Sequence, residues 1–456
     1  MVQIRYTQFS DYQDSLTFIV ALVMMIACRK KFRTGVNSMR VCIQTLGTRG
    51  DVQPYVALAV RLIKMGHSVV ICTGGSFRQL AEDNGVAFHR VTSDLMALLN
   101  TEVGRQVMSG GMRHPLRAMR YAKEVVNPAF RKSLDDFWAG AQGADVILYH
   151  PKALAAPDMA KALNIPCISV PPVPITYPVS EFPNMAIAPA ANWGAALNRL
   201  SYAMMGKADL SSLKEINDFR SNTLGLPVRK SGIYAYEIDG RPIPIICPVS
   251  PALFEDVKSW NGHVYLPGFF YLDLEHRALD PQIEAFFAIG DRPIVVSFSS
   301  MPLHRPQEFL SMLSTALKMT GNRAVLLTGE MDFPVGGEEN IMAVKAAPHG
   351  LLFPRAKGIV HHGGIGTVAE ALRSGAPQLI LPFSVDQPFW AHRLHHLGYA
   401  LRPLRERALS AVELANAFKE MEQPEHIRNA ALIRERLVQE DGCGAAVAYI
   451  EQLVKS

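Results

Sequence analysis

Residues 358–397 read GIVHHGGIGTVAEALRSGAPQLILPFSVDQPFWAHRLHHL, and this stretch decides the fold. Its pattern predicts a strand over Gly358–His361, a glycine-rich turn, a helix over Thr367–Ser374, a strand over Gln378–Pro382 and a helix that opens at Asp386. A strand that enters a helix through a glycine-rich turn is typical of anion sites, because free backbone N–H groups and the helix dipole converge there. In a parallel sheet such turns lie at the carboxyl ends of the strands, where ligands bind.

The glycines exclude two common nucleotide sites. Gly364-Ile365-Gly366 is followed by Thr367-Val368-Ala369, which breaks the G-x-G-x-x-G fingerprint of dinucleotide-binding proteins, and the stretch has no Walker pattern. A nicotinamide dehydrogenase is therefore disfavoured.

The stretch instead resembles the nucleotide-sugar signature of glycosyltransferase family 1. The resemblance is carried by His362–Thr367, Glu370–Leu372, Pro382-Phe383 and Asp386–Pro388. It implies the α/β fold called GT-B, in which two Rossmann-like parallel-sheet domains face a central cleft. It also implies an inverting enzyme whose co-substrate is a nucleotide sugar.

A second motif stands near the start of the folded chain. Residues 39–46 predict a strand, residues 54–64 a helix and residues 69–73 a further strand, which together form a βαβ unit. Between the first strand and the helix, residues 47–59 read GTRGDVQPYVALA and resemble the sterol and glycopeptide branches of the family.

Composition narrows the class of protein. A chain of 456 residues predicts two domains, and 49% hydrophobic with 19% charged residues indicates a well-packed globular protein. The net charge of +5 and the dispersed basic residues give no nucleic-acid footprint. The six cysteines lack paired spacing, which favours reduced thiols in a cytoplasmic protein and argues against a zinc site.

The domain boundaries follow from shifts in composition. Residues 1–38 are expected to be an extension outside the fold, residues 39–273 an acceptor-binding domain, residues 274–292 a linker and residues 293–456 a nucleotide-sugar-binding domain. The resemblance implies that the last helix packs back on the first domain. Residues 16–28 are apolar and precede the basic cluster 29–33, so a peripheral membrane contact stays open as the alternative for the extension.

Residues 171–193, PPVPITYPVSEFPNMAIAPAANW, have two interpretations. They form either a proline-stiffened surface loop or one wall of an apolar acceptor pocket. The resemblance favours the pocket, because family members build the acceptor site from loops of the first domain.

Leaving-group stabilisation requires donors for a diphosphate. The sequence shows no convincing D-x-D metal motif, so we expect no metal and no cofactor beyond a UDP-sugar or dTDP-sugar. We expect the diphosphate to be bound by His362, the backbone N–H groups of Gly364 to Thr367, Gly366 included, the Thr367 hydroxyl and Ser300. The base of the nucleotide is expected near His349. For His362 the alternative is a buried structural histidine.

Three further polar residues match family positions that bind the donor. Glu370 matches the carboxylate on the ribose, although Thr367-x-x-Glu370 is also a capping-box pattern. Asp386 and Gln387 match the pair that binds the sugar hydroxyls. Asp386 before Pro388 would also be a good N-cap, whereas we expect no structural role for Gln387.

Asp51 is the expected catalytic base. Its alternative role is an N-cap for the helix predicted over 54–64. A lone aspartate is a weak base at its ordinary pKa of about 3.9, and we expect partial burial or contact with an apolar acceptor to raise that pKa.

The sequence thus predicts a metal-independent, inverting glycosyltransferase that moves a hexose from a nucleotide sugar, most simply glucose from UDP-glucose, to a hydroxyl of an apolar acceptor such as a sterol or another lipid. Transfer of rhamnose or another deoxysugar from a dTDP-sugar stays open. The rivals are an epimerase or hydrolase of nucleotide sugars on the same fold, and a non-catalytic lipid-binding or partner-binding protein.

Overall fold

The computed structural model describes residues 38–92, 120–188, 192–208, 212–229, 236–272, 278–298, 303, 305–329 and 340–455. The predictions made for Ser300 and for residues 1–37 lie outside these ranges.

The first domain is built on a parallel sheet of seven strands in the order β3-β2-β1-β4-β5-β8-β9. Its strands are β1 Arg40–Gln44, β2 Ser68–Gly74, β3 Ala87–Val91, β4 Val146–Tyr149, β5 Cys167–Ser169, β8 Ile245–Ile246 and β9 Val264–Tyr265. Between β5 and β8 the chain forms the short hairpin β6 Glu237–Ile238 and β7 Arg241–Pro242. The central strands are buried along most of their length, because helices cover both faces of a parallel sheet.

The second domain has a five-stranded parallel sheet in the order β12-β11-β10-β13-β14. The strands are β10 Ile294–Ser297, β11 Ala324–Leu327, β12 Ile341–Val344, β13 Gly358–His361 and β14 Gln378–Ile380. The expected pair of Rossmann-like domains is thus confirmed.

Helices flank both sheets. In the first domain they are α1 Arg49–Lys64, α2 Arg78–Glu82, α3 Asn127–Ala141, α4 Ala156–Leu163, α5 Ala195–Ala208 and α6 Leu213–Phe219. They are followed by α7 Pro281–Ala288, α8 Pro306–Thr320, α9 His349–Leu352, α10 Ile365–Ser374, α11 Gln387–His396, α12 Ala411–Met421, α13 Pro424–Leu437 and α14 Gly442–Lys455.

Helix α1 begins at Arg49, five residues before the start predicted from Pro54. Thr48 is its N-cap, and the carboxylate of Asp51 accepts the backbone N–H of Thr48 at 2.7 Å as the reciprocal half of a capping box. Pro54 lies inside the helix, where its missing N–H leaves only one helix carbonyl without its usual partner. Asp51 is therefore part of the cap, but at the third helical position rather than as the N-cap that the sequence suggested.

The final helix α14 crosses back to the first domain. Its buried residues Cys443, Ala446, Val447 and Ile450 belong to the same apolar cluster as β1 and α1. Two polar contacts hold it there: Arg61 pairs with Asp441 at 2.5 Å, and His67 contacts Glu451 at 3.0 Å.

The segment predicted as a linker is partly structured. Helix α7 lies within it, and its Ile283 packs with Val295 and Val325 in the core of the second domain. In the part of the chain that the structure describes, no helix is long and apolar enough to cross a membrane, and none of the five cysteines forms a disulfide bond.

Candidate active site

The turn between β13 and α10 needs its glycines for different reasons. Gly363 has φ +88°, and a Cβ there would lie 2.8 Å from Ile380. A Cβ on Gly364 would lie 2.4 Å from Nε2 of His362, so the imidazole covers this residue. A Cβ on Gly366 would meet nothing within 4 Å, so the helix start faces open space at this residue.

The N-terminus of α10 has no side-chain cap. The helix begins at Ile365, two residues before the predicted start, and its N-cap residue Gly364 offers no side-chain acceptor. The predicted capping box of Thr367 with Glu370 is wrong, because Thr367 already lies inside the helix. The first N–H groups of the helix have no carbonyl partner within it, and they are suited to an anion.

His362 is buried beside this helix start. Only 6% of the residue is exposed, and its Nδ1 has no hydrogen-bond partner among the described residues. Burial lowers its pKa to about 4, so the imidazole is neutral at pH 7. A neutral imidazole can still donate one N–H, and a buried polar atom without a partner indicates a ligand position.

The neighbouring His361 has a structural role. Its Nε2 contacts Oε1 of Gln378 at 2.7 Å, and its Nδ1 accepts the backbone N–H of Gly363 at 3.1 Å. Both ring nitrogens are thus used to join β13, β14 and the turn.

His349 begins α9 at the carboxyl end of the second sheet. Its Nε2 contacts the Ser297 hydroxyl at 3.0 Å, and its ring stacks on Phe353 with centroids 4.4 Å apart. Burial lowers the pKa of His349 to about 4, and the positive charges of His362 and Arg49 act in the same direction. His349 therefore lies beside His362, as the sequence required of two donor-site residues.

Glu370 lies on α10 one turn after the glycine-rich loop. Its carboxylate pairs with Arg373 at 2.8 Å, and the Arg373 guanidinium stacks 3.9 Å from the ring centroid of Tyr271 in the first domain. Burial raises the pKa of Glu370, while Arg373 opposes this shift. Its role on a ribose stays a prediction.

Asp386 and Gln387 stand at the start of α11. The Asp386 side chain does not cap the helix; it accepts the indole N–H of Trp390 at 3.0 Å. The Gln387 side-chain oxygen accepts the backbone N–H groups of Phe383 and Ser384 at 2.9 and 3.2 Å. Gln387 thus does have a structural role, because it holds the turn after β14.

The same turn contains Val385 at φ +57°, with 65% of the residue exposed. This backbone conformation is unfavourable for a β-branched residue, and strain of this kind clusters at ligand sites. The turn therefore has the features of a built site for a ligand beside Asp386.

Asp51 is held by more groups than the sequence suggested. Its Oδ1 accepts from Nε2 of His150 at 3.1 Å, and its Oδ2 accepts from Nζ of Lys152 at 2.9 Å. A Cβ on Gly47, which has φ +137°, would lie 2.1 Å from Oδ2 of Asp51. Only glycine leaves room for this cluster.

These contacts shift the pKa of Asp51 downward, opposite to the expected shift. Burial alone would raise it, but the hydrogen bonds and charges of His150 and Lys152 outweigh burial, and the pKa lies well below its ordinary value. The prediction that burial makes Asp51 a stronger base is wrong for the unliganded site.

The two domains bring the predicted residues together across the cleft. Asp386 has a raised pKa, first because it is buried and also because the charge of Asp51 in the first domain acts on it. The positive charge of Arg49, two residues before Asp51, likewise acts across the cleft, where it lowers the pKa of His349. The charges of Asp51 and Arg49 in the first domain thus reach Asp386 and His349 in the second domain.

Of the predicted segment 171–193, residues 189–191 lie outside the described residues. Residues 171–188 are not a surface loop, since only Ala186 among them is exposed, whereas Asn192 and Trp193 at the end of the segment are exposed. Phe182 packs against Phe389 of α11 with ring centroids 4.9 Å apart. Val173, Ile175 and Tyr177 stay half-buried and pack against the same apolar cluster as Ile365 in the glycine-rich turn. The segment thus supplies apolar surface between the two domains, next to the donor site.

Sequence reasoning missed four residues of this site: Arg49, His150, Lys152 and Arg373. Arg49 lies inside the GTRGD motif and could have been weighed as a cation for the diphosphate. His150 and Lys152 come directly after β4, the strand beside β1, and the rule that strand ends meet would have placed them near Asp51. Among the described residues, no group of three or more His, Cys, Asp or Glu side chains is arranged to hold a metal ion.

Two family models match the chain. The Glycosyltransferase family 28 N-terminal domain matches residues 41–156, and the Erythromycin biosynthesis protein CIII-like, C-terminal domain matches residues 336–450.

Curated relatives cover nearly the whole chain. The sterol 3-beta-glucosyltransferases UGT80A2 and UGT80B1 of Arabidopsis thaliana are 31% and 30% identical over 91% and 92% of it. The alignments span 66% and 68% of those two proteins, and only 37% of the sterol 3-beta-glucosyltransferase of Saccharomyces cerevisiae (strain YJM789). The O-mycaminosyltylonolide 6-deoxyallosyltransferase of Streptomyces fradiae is 29% identical over 91% of this chain and 97% of its own length.

Solved structures agree on the fold. The glycotransferase of kitacinnamycin superposes with a TM-score of 0.67 at 20% identity over 91% of this chain and 99% of its own. The glycosyltransferase VinC in complex with dTDP superposes with a TM-score of 0.63 at 20% identity over 91% of this chain and 100% of its own.

Proposed function

We propose that this chain, which belongs to the GT-B glycosyltransferases of family 1 and is an enzyme, transfers glucose from UDP-glucose to a hydroxyl group of a sterol or another lipid. The reaction proceeds with inversion and without a metal ion. The observation that carries the proposal is the start of α10, which has no side-chain cap and beside which the buried Nδ1 of His362 has no hydrogen-bond partner among the described residues. In the proposed complex the base Asp51 and the sugar-binding Asp386 stand on opposite sides of the anomeric carbon.

The donor diphosphate binds at the start of α10. The free N–H groups of this helix and the helix dipole stabilise the negative charge, and the unpartnered Nδ1 of His362 provides a further position for a hydrogen bond. Arg49 supplies a positive charge from the first domain. Glu370 accepts hydrogen bonds from the ribose, and Asp386 accepts them from the sugar.

The transfer itself forms one bond and breaks one. The acceptor oxygen attacks the anomeric carbon from the face opposite the diphosphate, the bond between that carbon and the diphosphate oxygen breaks, and the bonding pair leaves with UDP. The acceptor proton passes to Asp51. A single displacement of this kind inverts the anomeric configuration.

For this step the Lys152 ammonium must leave Oδ2 of Asp51. Oδ2 of Asp51 accepts from the backbone N–H and the hydroxyl of Thr48 and from the Lys152 ammonium, whose side chain is 46% exposed, whereas His150 on Oδ1 is buried. An acceptor hydroxyl that displaces the ammonium from Oδ2 removes a hydrogen bond and a nearby charge that lower the pKa of Asp51. Binding of the acceptor therefore makes Asp51 a stronger base.

The half-buried apolar side chains of Val173, Ile175 and Tyr177 support an apolar acceptor. The sterol glucosyltransferases among the relatives support a sterol in particular. The deoxyallosyltransferase relative, which matches over nearly its full length, supports the second candidate, transfer of a deoxysugar from a dTDP-sugar to a natural-product aglycone.

The test uses the full chain with UDP-glucose, UDP-galactose or dTDP-rhamnose and a panel of sterols, hydroxy fatty acids and phenols, read by mass spectrometry. A conjugate of acceptor plus glucose is the expected product, and a conjugate made only from dTDP-rhamnose would favour the second candidate. Free sugar or an epimerised donor without any conjugate would replace both by a hydrolase or an epimerase.

A further inference from the structure

Tyr55 lies on α1 one turn after Asp51 and is buried in the core of the first domain, with only 1% of the residue exposed. Residues four positions apart lie on the same side of a helix. Burial raises the pKa of Tyr55, and the negative charge of Asp51 acts in the same direction. The Tyr55 hydroxyl therefore keeps its proton at neutral pH and can donate a hydrogen bond.

The ring of Tyr55 packs beside His150, with the ring centroids 6.1 Å apart and the planes tilted by 48°. Tilted aromatic pairs at this separation attract each other. Since Nε2 of His150 donates to Oδ1 of Asp51, Tyr55 lies next to both partners of that hydrogen bond. Its ring thus packs against the side chain that contacts the expected base.

The hydroxyl of Tyr55 donates to the backbone carbonyl of Val170, a buried residue. Val170 is the last residue before the segment over residues 171–188, and its N–H donates to the carbonyl of Tyr149 at 2.8 Å. The next two residues are prolines, which have no N–H to hold the chain. The direction in which the segment leaves β5 therefore depends on the two backbone hydrogen bonds of Val170.

The segment over residues 171–188 is braced within itself. The N–H of Ile175 donates to the carbonyl of Val173 at 2.8 Å, and the buried side chain of Asn184 donates to the carbonyl of Ile175 at 3.1 Å. The half-buried apolar side chains of Val173 and Ile175 are thus fixed relative to the start of the segment. A change of direction at Val170 would move them with it.

We propose that Tyr55 is a positioning residue for the acceptor, because it joins the base Asp51 to the apolar segment over residues 171–188. Its hydroxyl sets where that segment begins, and a large apolar acceptor that packs on the segment then presents its hydroxyl to the Asp51 carboxylate. This role rests on the proposed function and adds to it the residue that links the base to the surface that binds the acceptor. Because Tyr55 is buried, it acts through Val170 and not on the substrate.

The test compares Tyr55→Phe with the parent chain on a large and a small acceptor, cholesterol and 4-nitrophenol, with UDP-glucose as the donor. Phenylalanine keeps the ring beside His150 and removes only the donor to Val170. The kcat/KM for cholesterol should fall about tenfold or more relative to that for 4-nitrophenol, because the buried carbonyl loses its partner and the small phenol depends little on the segment. A role in packing alone would lower both values equally.

Tyr149→Phe is the matched control. Tyr149 is also buried, lies on the strand β4 of the same sheet and belongs to a different apolar cluster from Tyr55. The variant keeps the backbone carbonyl that accepts the N–H of Val170, so it should retain the acceptor preference of the parent. Calorimetric titration with UDP should give the parent affinity for both variants, because the diphosphate site lies in the second domain.

A fluorescence titration with the sterol dehydroergosterol measures the acceptor site without turnover. Tyr55→Phe should bind this sterol more weakly than the parent chain does, whereas Tyr149→Phe should bind it like the parent. Urea unfolding of the same preparations shows that the compared chains are folded.

Three results would overturn the proposal. Tyr55→Phe with the acceptor preference and sterol affinity of the parent would leave its hydroxyl without this role. An equal loss with both acceptors would confine Tyr55 to packing against His150, and weaker UDP binding would place its effect in the donor site. A parent chain that forms no glucose conjugate contradicts the proposed function instead, and the sterol titration then decides the role of Tyr55 by itself.

Discussion

Oδ1 of Asp51 accepts a hydrogen bond from Nε2 of His150 at 3.1 Å, and Nδ1 of His150 in turn accepts the backbone N–H of Lys152 at 3.0 Å. The second contact fixes the tautomer, because a nitrogen that accepts a hydrogen bond carries no proton. His150 is buried, and burial lowers its pKa, so it is a neutral donor at pH 7. In this pair the buried histidine orients the Asp51 carboxylate through its hydrogen bond to Oδ1.

The first prediction concerns the base itself. Asp51→Asn should lower kcat by a factor of about 10²–10⁴, because asparagine cannot take the acceptor proton. The amide oxygen can still accept the N–H of Thr48, but the amide NH2 then meets the N–H of His150, so the fold should be kept with a loss of about 1–3 kcal/mol in the free energy of unfolding. Steady-state kinetics and urea unfolding of the same preparation check both.

Lys152→Met is the control for this variant, since it removes the charge partner and keeps the carboxylate. It should retain activity, and the acid limb of its pH–rate profile should move to higher pH, because the pKa of Asp51 rises when the lysine is lost. An Asp51→Asn enzyme with normal turnover would mean that Asp51 is only part of the helix cap.

A second prediction separates orientation from simple packing at His150. His150→Gln retains an N–H that can reach Asp51, whereas His150→Leu fills the space without one. The leucine variant should lose about tenfold or more in kcat with little change in KM, and the glutamine variant should recover most of the loss. Equal kinetics for the two variants would leave His150 with a packing role only.

Part of this site could be predicted from sequence, and the rest could not for physical reasons. The glycine-rich turn and the order of strands and helices follow from local pattern, so the two sheets and the positions of His362 and Glu370 were predicted. The partners of Asp51 come from a strand end about a hundred residues away, and only the sheet order β2-β1-β4 brings them together.

Predictions of helix starts and caps from local sequence were wrong where another residue, nearby in the chain or in the fold, made the contact instead. Helix α1 begins after its N-cap Thr48 and not at Pro54. Helix α10 begins after its N-cap Gly364, so Thr367 lies inside the helix and is not an N-cap. Gln387 was expected to be free, yet its side chain holds two backbone N–H groups of the turn that precedes it. Such contacts depend on the geometry of the turn, which cannot be predicted from the spacing of residues in the sequence.

A third prediction uses two glycines of the diphosphate turn. Gly366→Ala adds a methyl group in open space, so the fold should be kept or stabilised by up to about 1 kcal/mol, while the affinity for UDP should fall because the methyl group occupies the ligand position. Gly364→Ala should disturb the fold itself, since its Cβ would lie 2.4 Å from His362. Calorimetric titration with UDP and thermal unfolding distinguish the two. Unchanged UDP affinity in Gly366→Ala would place the diphosphate elsewhere.

A fourth prediction tests Glu370 on the ribose. The parent enzyme should bind UDP more tightly than 2′-deoxy-UDP, because the deoxy compound leaves the carboxylate without one donor. Glu370→Gln should weaken UDP binding and reduce this discrimination. Arg373→Gln is the companion variant: it frees Glu370 from its ion pair and should keep the preference for UDP. A preference that persists in Glu370→Gln would assign the ribose to another residue.

The last prediction follows from three histidines of the second domain, of which His361 and His362 are buried and His349 is half-buried. Burial lowers the pKa of His349 to about 4, of His361 to about 3 and of His362 to about 4, whereas an unfolded chain titrates its histidines near 6.5. Between these values the unfolded state binds protons that the folded state does not. The stability is therefore complete above about pH 6.5 and is lost as the pH falls toward 4, by up to about 1.4 kcal/mol per pH unit for each histidine. Urea unfolding at several pH values in this window measures how steeply the free energy of unfolding depends on pH. His349→Gln should reduce that slope by up to the contribution of one proton. A variant with the slope of the parent would show that His349 is protonated in the folded domain.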